Sequence, residues 1–339
     1  MSGSRPAYLS LSLLLIGCAP ALASQPQTAL VPRTMDASFV CEHLVDRFVG
    51  LPETGSNAGG APARPAPLVG RWWVRTCSST GEGDALRVRL GGPGWYFVDK
   101  SDGNLGLHQQ VPFDLGIELG GRLHLTNADG IFSVWLSPDE EPRVDLHISG
   151  DLDVKATSAW GSVLRMMPLV PVRSMAAARL TESATDALRL KLRDGVTVTF
   201  DVAAGQADAT LGRLGVGQTP DNAFQDRVPW LINDRLLLEG SGVQVMGPIT
   251  PGPTRLDVKV ESGPGVRYRA LCAGDMDKDY SAIARGDAAS ISIDPHLANG
   301  TVAGLGQHTA DFRVDNCKFY LVISALERTD TLVSFRVRA

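Results

Sequence analysis

The chain has 339 residues, 20% of them charged and 44% hydrophobic, an ordinary globular composition with enough apolar mass for a core and room for two domains. Lys and Arg total 32 against 37 Asp and Glu, a net charge of −5 with no block of one sign. No platform for neutralising phosphates results, so nucleic acid is excluded as an expected partner. Glycine (36) and proline (21) are plentiful, which favours many short strands and turns over a helical bundle.

The N-terminus reads as an export signal. Arg5 supplies the positive region, and the run Leu9 to Ile16 is apolar but far short of the about 20 residues needed to span a bilayer. Two cleavage patterns compete. Leu15-Ile16-Gly17-Cys18 resembles the lipobox of bacterial lipoproteins, whereas Ala21-Leu22-Ala23 offers the small-x-small site of an ordinary secreted or periplasmic protein. The lipoprotein resemblance implies a signal peptide over residues 1–17 and a Cys18 that carries diacylglyceryl and palmitate-type chains. Two or more such chains anchor a protein stably to a membrane. Ala19 follows the cysteine, and in Gram-negative lipoproteins a residue other than Asp there implies delivery to the outer membrane.

Four further cysteines, Cys41, Cys77, Cys272 and Cys317, read as disulfides in an oxidising compartment. Three pairings are possible. The order of two early and two late cysteines favours Cys41–Cys77 and Cys272–Cys317.

Residues 18–35 form a polar, proline-containing tether. Apolar positions Phe39, Val40, Leu44, Val45 and Phe48 are spaced as on a helix over Asp36 to Val49, and Pro52 to Pro67 is a flexible loop. From Leu68 the period becomes two. Leu86, Val88 and Leu90 alternate with polar residues, as do Phe113, Leu115, Ile117 and Leu119, then Leu123 and Leu125. Val144, Leu146, Ile148, Leu152 and Val154 continue the pattern across Gly150 as one long strand. Ser174 to Arg193 is an amphipathic helix with Ala177, Leu180, Ala184, Ala187 and Leu188 on one stripe, followed by a strand with Val196, Val198, Phe200 and Val202.

Gly247 to Thr254 reads as a boundary between a β-rich domain with helices, 36–246, and a β-sandwich domain, 255–339, which is expected to be all strand. The fold class is therefore α+β: a long curled antiparallel sheet with an amphipathic helix, followed by a small all-β sandwich.

Catalytic signatures are missing from the sequence. Neither Gly-x-Ser-x-Gly nor Ser-x-x-Lys occurs, the six histidines are scattered, and no enzyme activity is expected. His124 and His147 lie on polar parities of two long strands and could be neighbours, near Asp145. Asp275, Asp277 and Asp279 have the spacing of a calcium loop, but Tyr280 and Gly286 stand where its Gly and Glu belong. Leu90 to Gly94 precedes a strand and reads as a turn. No metal and no cofactor is expected.

Ser158 to Pro171 is strongly apolar, with Trp160, Met166 and Met167, and fits either a cover over the sheet or a lid beside an apolar cavity. Element order and strand length over Leu68 to Met246 resemble the tubular lipid-binding architecture of the bactericidal/permeability-increasing protein group. That resemblance implies an interior face that binds a lipid or another apolar ligand, with Phe113, Leu115, Ile117, Trp160, Met166, Met167, Val198 and Phe200 as contacts. The competing expectation is a structural lipoprotein that docks an envelope partner through the C-terminal sandwich.

Overall fold

The computed structural model describes residues 38–52, 67–82, 85–102, 105–128, 131–153, 155–156, 172–201, 206–213, 232–240, 242–291 and 297–338. Residues 1–37, on which the expected signal peptide, Cys18 and the expected tether fall, lie outside the described residues, as do Trp160, Met166, Met167 and the side chain of Phe200.

Strands dominate. β1 (Phe48–Pro52) pairs with β2 (Leu68–Trp73), while β3 (Thr76–Glu82), β4 (Ala85–Asp102) and β5 (Leu105–Ala128) follow as a meander. β4 and β5 are 18 and 24 residues long, well beyond the usual about 5–6. They pair without a slip from Ala85 opposite Arg122 to Asp102 opposite Leu105. The far edge of β5 is shared by β6 (Ile131–Pro138), β7 (Arg143–Ile148) and the short β8 (Lys155–Ala156). β9 (Val196–Asp201) and β10 (Gln206–Leu211) extend the sheet beyond β6.

On its other side β2 meets β11 (Ile232–Leu238) through a single parallel pair, Leu68 with Leu236. β18 (Thr331–Arg338), β13 (Gly252–Ser262) and β16 (Gln307–Val314) complete a sheet of 14 strands. A second sheet runs in the order β12 (Val243–Ile249), β17 (Phe319–Ala325), β14 (Gly265–Cys272), β15 (Ala298–Ala303). Three helices accompany the sheets among the described residues: α1 (Ser38–Leu44), α2 (Val172–Leu192) and α3 (Ala273–Ala284).

The expected α+β class is corrected by this architecture, which is mainly β. α2 does not fill a sheet: its stripe residues Ala177, Leu180, Ala184 and Leu188 are only half-buried, and Leu192 is the first buried residue among those described on the helix. The reason lies in composition, since a stripe rich in alanine has little side chain to bury. Nor is the sandwich a small appendage. β11, which precedes Gly247, and β12, which runs through it, pair with β18 and β17, which follow it, and the large sheet continues from β2 into β11.

Local expectations also shift. α1 stops at Leu44 rather than reaching Val49, because Asp46 adopts φ 63° and turns the chain into β1. Leu90 to Gly94 is not a turn but the middle of β4. Its glycines let neighbours approach: a Cβ on Gly92 would stand 2.0 Å from the Trp73 carbonyl oxygen, and one on Gly94 2.5 Å from the Phe113 ring. The strand expected through Val154 ends at Ile148, with Gly150 at φ 94°. The C-terminal region expected to be all strand holds a helix at Ala273–Ala284, and residues 288–291 form turns and bends.

Both disulfides form in the pairing that the cysteine order favours. Cys41–Cys77 joins α1 to β3, and Cys272–Cys317 joins the end of β14 to the approach to β17. Each closes a long loop, worth about 4 kcal/mol in the chain-entropy model. They are compatible with an extracytoplasmic protein. No helix among the described residues is long and apolar enough to cross a membrane.

Candidate functional site

Pairing of β4 with β5 places even-numbered β4 residues and odd-numbered β5 residues on one face. On that face Leu86, Val88 and Leu90, opposite Gly121, Leu119 and Ile117, are buried at the distal end, while at the other end Val98 stands opposite Gln109 and Lys100 opposite Leu107. The opposite face changes character. At the distal end it is wet, with Arg87 bonded to Glu118 at 2.9 Å and Glu140 at 2.7 Å. The hydrogen bond from Arg89, with help from Arg87, holds the Glu118 carboxyl below its ordinary range. Towards the middle the same face turns inward, and Trp95 and Phe97 are buried.

What buries them is the second sheet and α3. Trp95, Trp73, Phe48, Tyr280 and Tyr320 form an aromatic cluster with ring centroids 5.3 to 6.3 Å apart. Burial pushes the phenols of Tyr280 and Tyr320 well above the ordinary range. Gln110 ties the junction by donating to the Ile283 carbonyl at 2.6 Å and accepting from the Val243 N–H at 3.1 Å.

The distal apolar face holds the candidate site. β6 and β9 continue it with Val134, Leu136, Val196 and Val198, and α1 roofs it with Val40 and Leu44. Between roof and sheet a cavity of about 20 Å3 remains. Among the described residues its walls are ten aliphatic side chains: Val40, Leu44, Val88, Leu90, Leu119, Leu123, Val134, Leu136, Val196 and Val198. A single water needs about 10–15 Å3 of such space, so the cavity as it stands admits one methyl-sized group. None of the ten titrates or donates a proton, so these walls suit an apolar group.

Of the residues expected as ligand contacts, Phe113, Leu115, Ile117 and Val198 share one buried cluster, and Val198 alone among them reaches the cavity wall. Phe113, Leu115 and Ile117 pair with Ile148, Leu146 and Val144 of β7 and pack as core. Phe200 stands opposite Phe132 and Ala207 in register. The remaining wall residues escaped the sequence reading. Their parity was visible, but the return of α1 over β4 and β6 is a tertiary fact.

Other expected chemistry is redistributed. The acidic run Asp275 to Asp279 lies on α3, not in a loop, because Met276, Asp279 and Ile283 at helical spacing turn inward. Lys278 pairs with Asp275 at 2.8 Å. His124 and His147 are not neighbours: His124 pairs with Trp135, while His147 pairs with Asp114, ten residues away along β5. That separation is about 33 Å of strand. His124 instead stacks on Trp135 at 4.8 Å, Arg213 lies over the same indole at 4.5 Å, and the indole N–H donates to the Asp194 carbonyl. No group of three or more His, Cys, Asp or Glu able to hold a metal occurs among the described residues.

No protein-family model and no curated protein matches the chain. The site is therefore read from its own chemistry: an aliphatic pocket, roofed by a short disulfide-linked helix, at the distal end of a long two-stranded ribbon.

Proposed function

We propose that the protein is an exported envelope lipoprotein, tethered through Cys18, that binds the aliphatic part of a lipid or similar apolar molecule beneath α1. The observation that carries this reading is a wall of ten aliphatic side chains among the described residues, on the buried apolar distal end of the ribbon's face. Recognition in such a pocket is by shape and dryness, not by hydrogen bonding. The present cavity is smaller than a hydrocarbon chain, so binding requires α1 to yield.

The test incubates the protein with phospholipid vesicles under a dithiol reductant, re-isolates it without detergent and analyses its solvent extract by mass spectrometry. An aliphatic-chain lipid near one per protein is expected, and its absence from repeated preparations removes the reading. Metabolic labelling with a fatty acid checks the tether. Label on the wild type and none on Cys18→Ser is expected.

A second reading has one observation in its favour. Among the described residues β16 pairs only with β13, and most of its side chains are exposed, leaving an edge at which an envelope protein could add a strand. Loss of partner binding on Thr309→Pro, with lipid content unchanged, would favour it.

A further inference from the structure

We propose that α1 is a latched cap: the Cys41–Cys77 disulfide holds it over the aliphatic cavity, and opening that bond admits a hydrocarbon chain. The inference rests on the ligand reading above and adds its control. α1 has seven residues, too few to persist as a helix without packing, and it contributes Val40 and Leu44 to the roof. Its C-terminal end is a pivot. The chain turns at Asp46, with φ 63°, and is pinned there by the Asp46 N–H to the Val74 carbonyl at 2.7 Å and the Val74 N–H to the Arg47 carbonyl at 2.9 Å.

Three residues before the helix ends, Cys41 ties the cap to β3, which pairs only with β4 among the described residues. Cys41 and Cys77 are both half-buried, within reach of a small thiol or a dithiol reductase. Exchange with a dithiol breaks the sulfur–sulfur bond, leaves Cys41 and Cys77 as thiols, and oxidises the dithiol to its own disulfide. With the bond intact the cavity accepts about one methyl group. With it open, the cap swings on Asp46 and the apolar face of β4, β5 and β6 is uncovered. The second disulfide lies away from the cavity, between Cys272 and Cys317, and serves as an internal control.

The experiment compares the full exported chain with Cys41→Ser/Cys77→Ser and with Cys272→Ser/Cys317→Ser, following uptake of cis-parinaric acid by its fluorescence. Hydrogen exchange at the Val45 amide, which bonds to the Cys41 carbonyl, reports the cap directly. The first variant is expected to take up the probe about tenfold faster and to exchange Val45 faster, the second to match wild type at both. Val40→Ala/Leu44→Ala, with both disulfides intact, thins the roof and is expected to speed uptake too, so the result does not depend on one variant. Equal uptake by all forms overturns the latch and leaves the ligand reading standing. Uptake by none removes both, and unchanged Val45 exchange in the first variant overturns the latch whatever the fluorescence shows.

Discussion

Gln110 donates its side-chain amide to the backbone carbonyl of Ile283 at 2.6 Å, across 173 residues of sequence. The same side chain accepts from Val243, so one amide closes the C-terminal end of α3 and the start of β12 against the long ribbon. Gln110→Leu would leave the buried Val243 N–H without this partner, while Ile283 still accepts from Gly286, at a cost of about 2 kcal/mol. Its neighbour Gln109 bonds to Asp151 and Asp153 at an exposed loop, and Gln109→Leu should cost less than about 1 kcal/mol. Urea denaturation of both variants checks the contrast.

Gln244 presents the opposite case. It is fully buried on β12, and neither end of its amide has a partner among the described residues. Gln244→Met keeps the length of the side chain and removes the desolvation penalty. Stability should rise by about 1 kcal/mol, read as a higher urea midpoint at unchanged slope.

These two glutamines mark the limit of what was legible in the sequence. Alternation exposed β4, β5, β7 and β9 and their apolar parities, since a half-buried strand writes its face into every second residue. It could not show that Trp95 and Phe97, on the wet parity of Arg87 and Arg89, are covered by α3 and the second sheet. α3 itself was hidden because its inward positions Met276, Asp279 and Ile283 sit among acidic residues that read as a loop. The cavity was half legible. Val198 carried the right parity, but the roof of Val40 and Leu44 depends on where α1 returns.

Tyr280 and Tyr320 should stay protonated far past the ordinary phenol value of 10.0, because burial disfavours the phenolate in both and the charges of Asp114 and Asp46 oppose it further. A raised folded pKa contributes stability that is present below the unfolded value and lost as pH rises above it. Absorbance at about 295 nm should therefore show these two phenols ionising only as the protein unfolds in alkali. Tyr280→Phe and Tyr320→Phe should each remove one such phenol from the unfolding step.

Acid acts through Glu118, whose carboxyl Arg89 and Arg87 hold below its ordinary 4.5. A depressed folded pKa contributes stability that is present above 4.5 and lost as pH falls through the folded value. Glu118→Gln should accordingly flatten the decline of the urea midpoint between neutral pH and the carboxylate range. An unaltered decline would show that the pair carries no linkage.

The central claim concerns the cavity, and methyl spectroscopy addresses it most directly. With Val and Leu methyls labelled, the reduced protein is titrated with a saturated fatty acid and cross-relaxation from the chain is recorded. The account predicts contacts to Val198, Leu123 and Leu44, and their loss in Val198→Asp. Contacts that avoid these methyls, or none at saturating ligand, would contradict it.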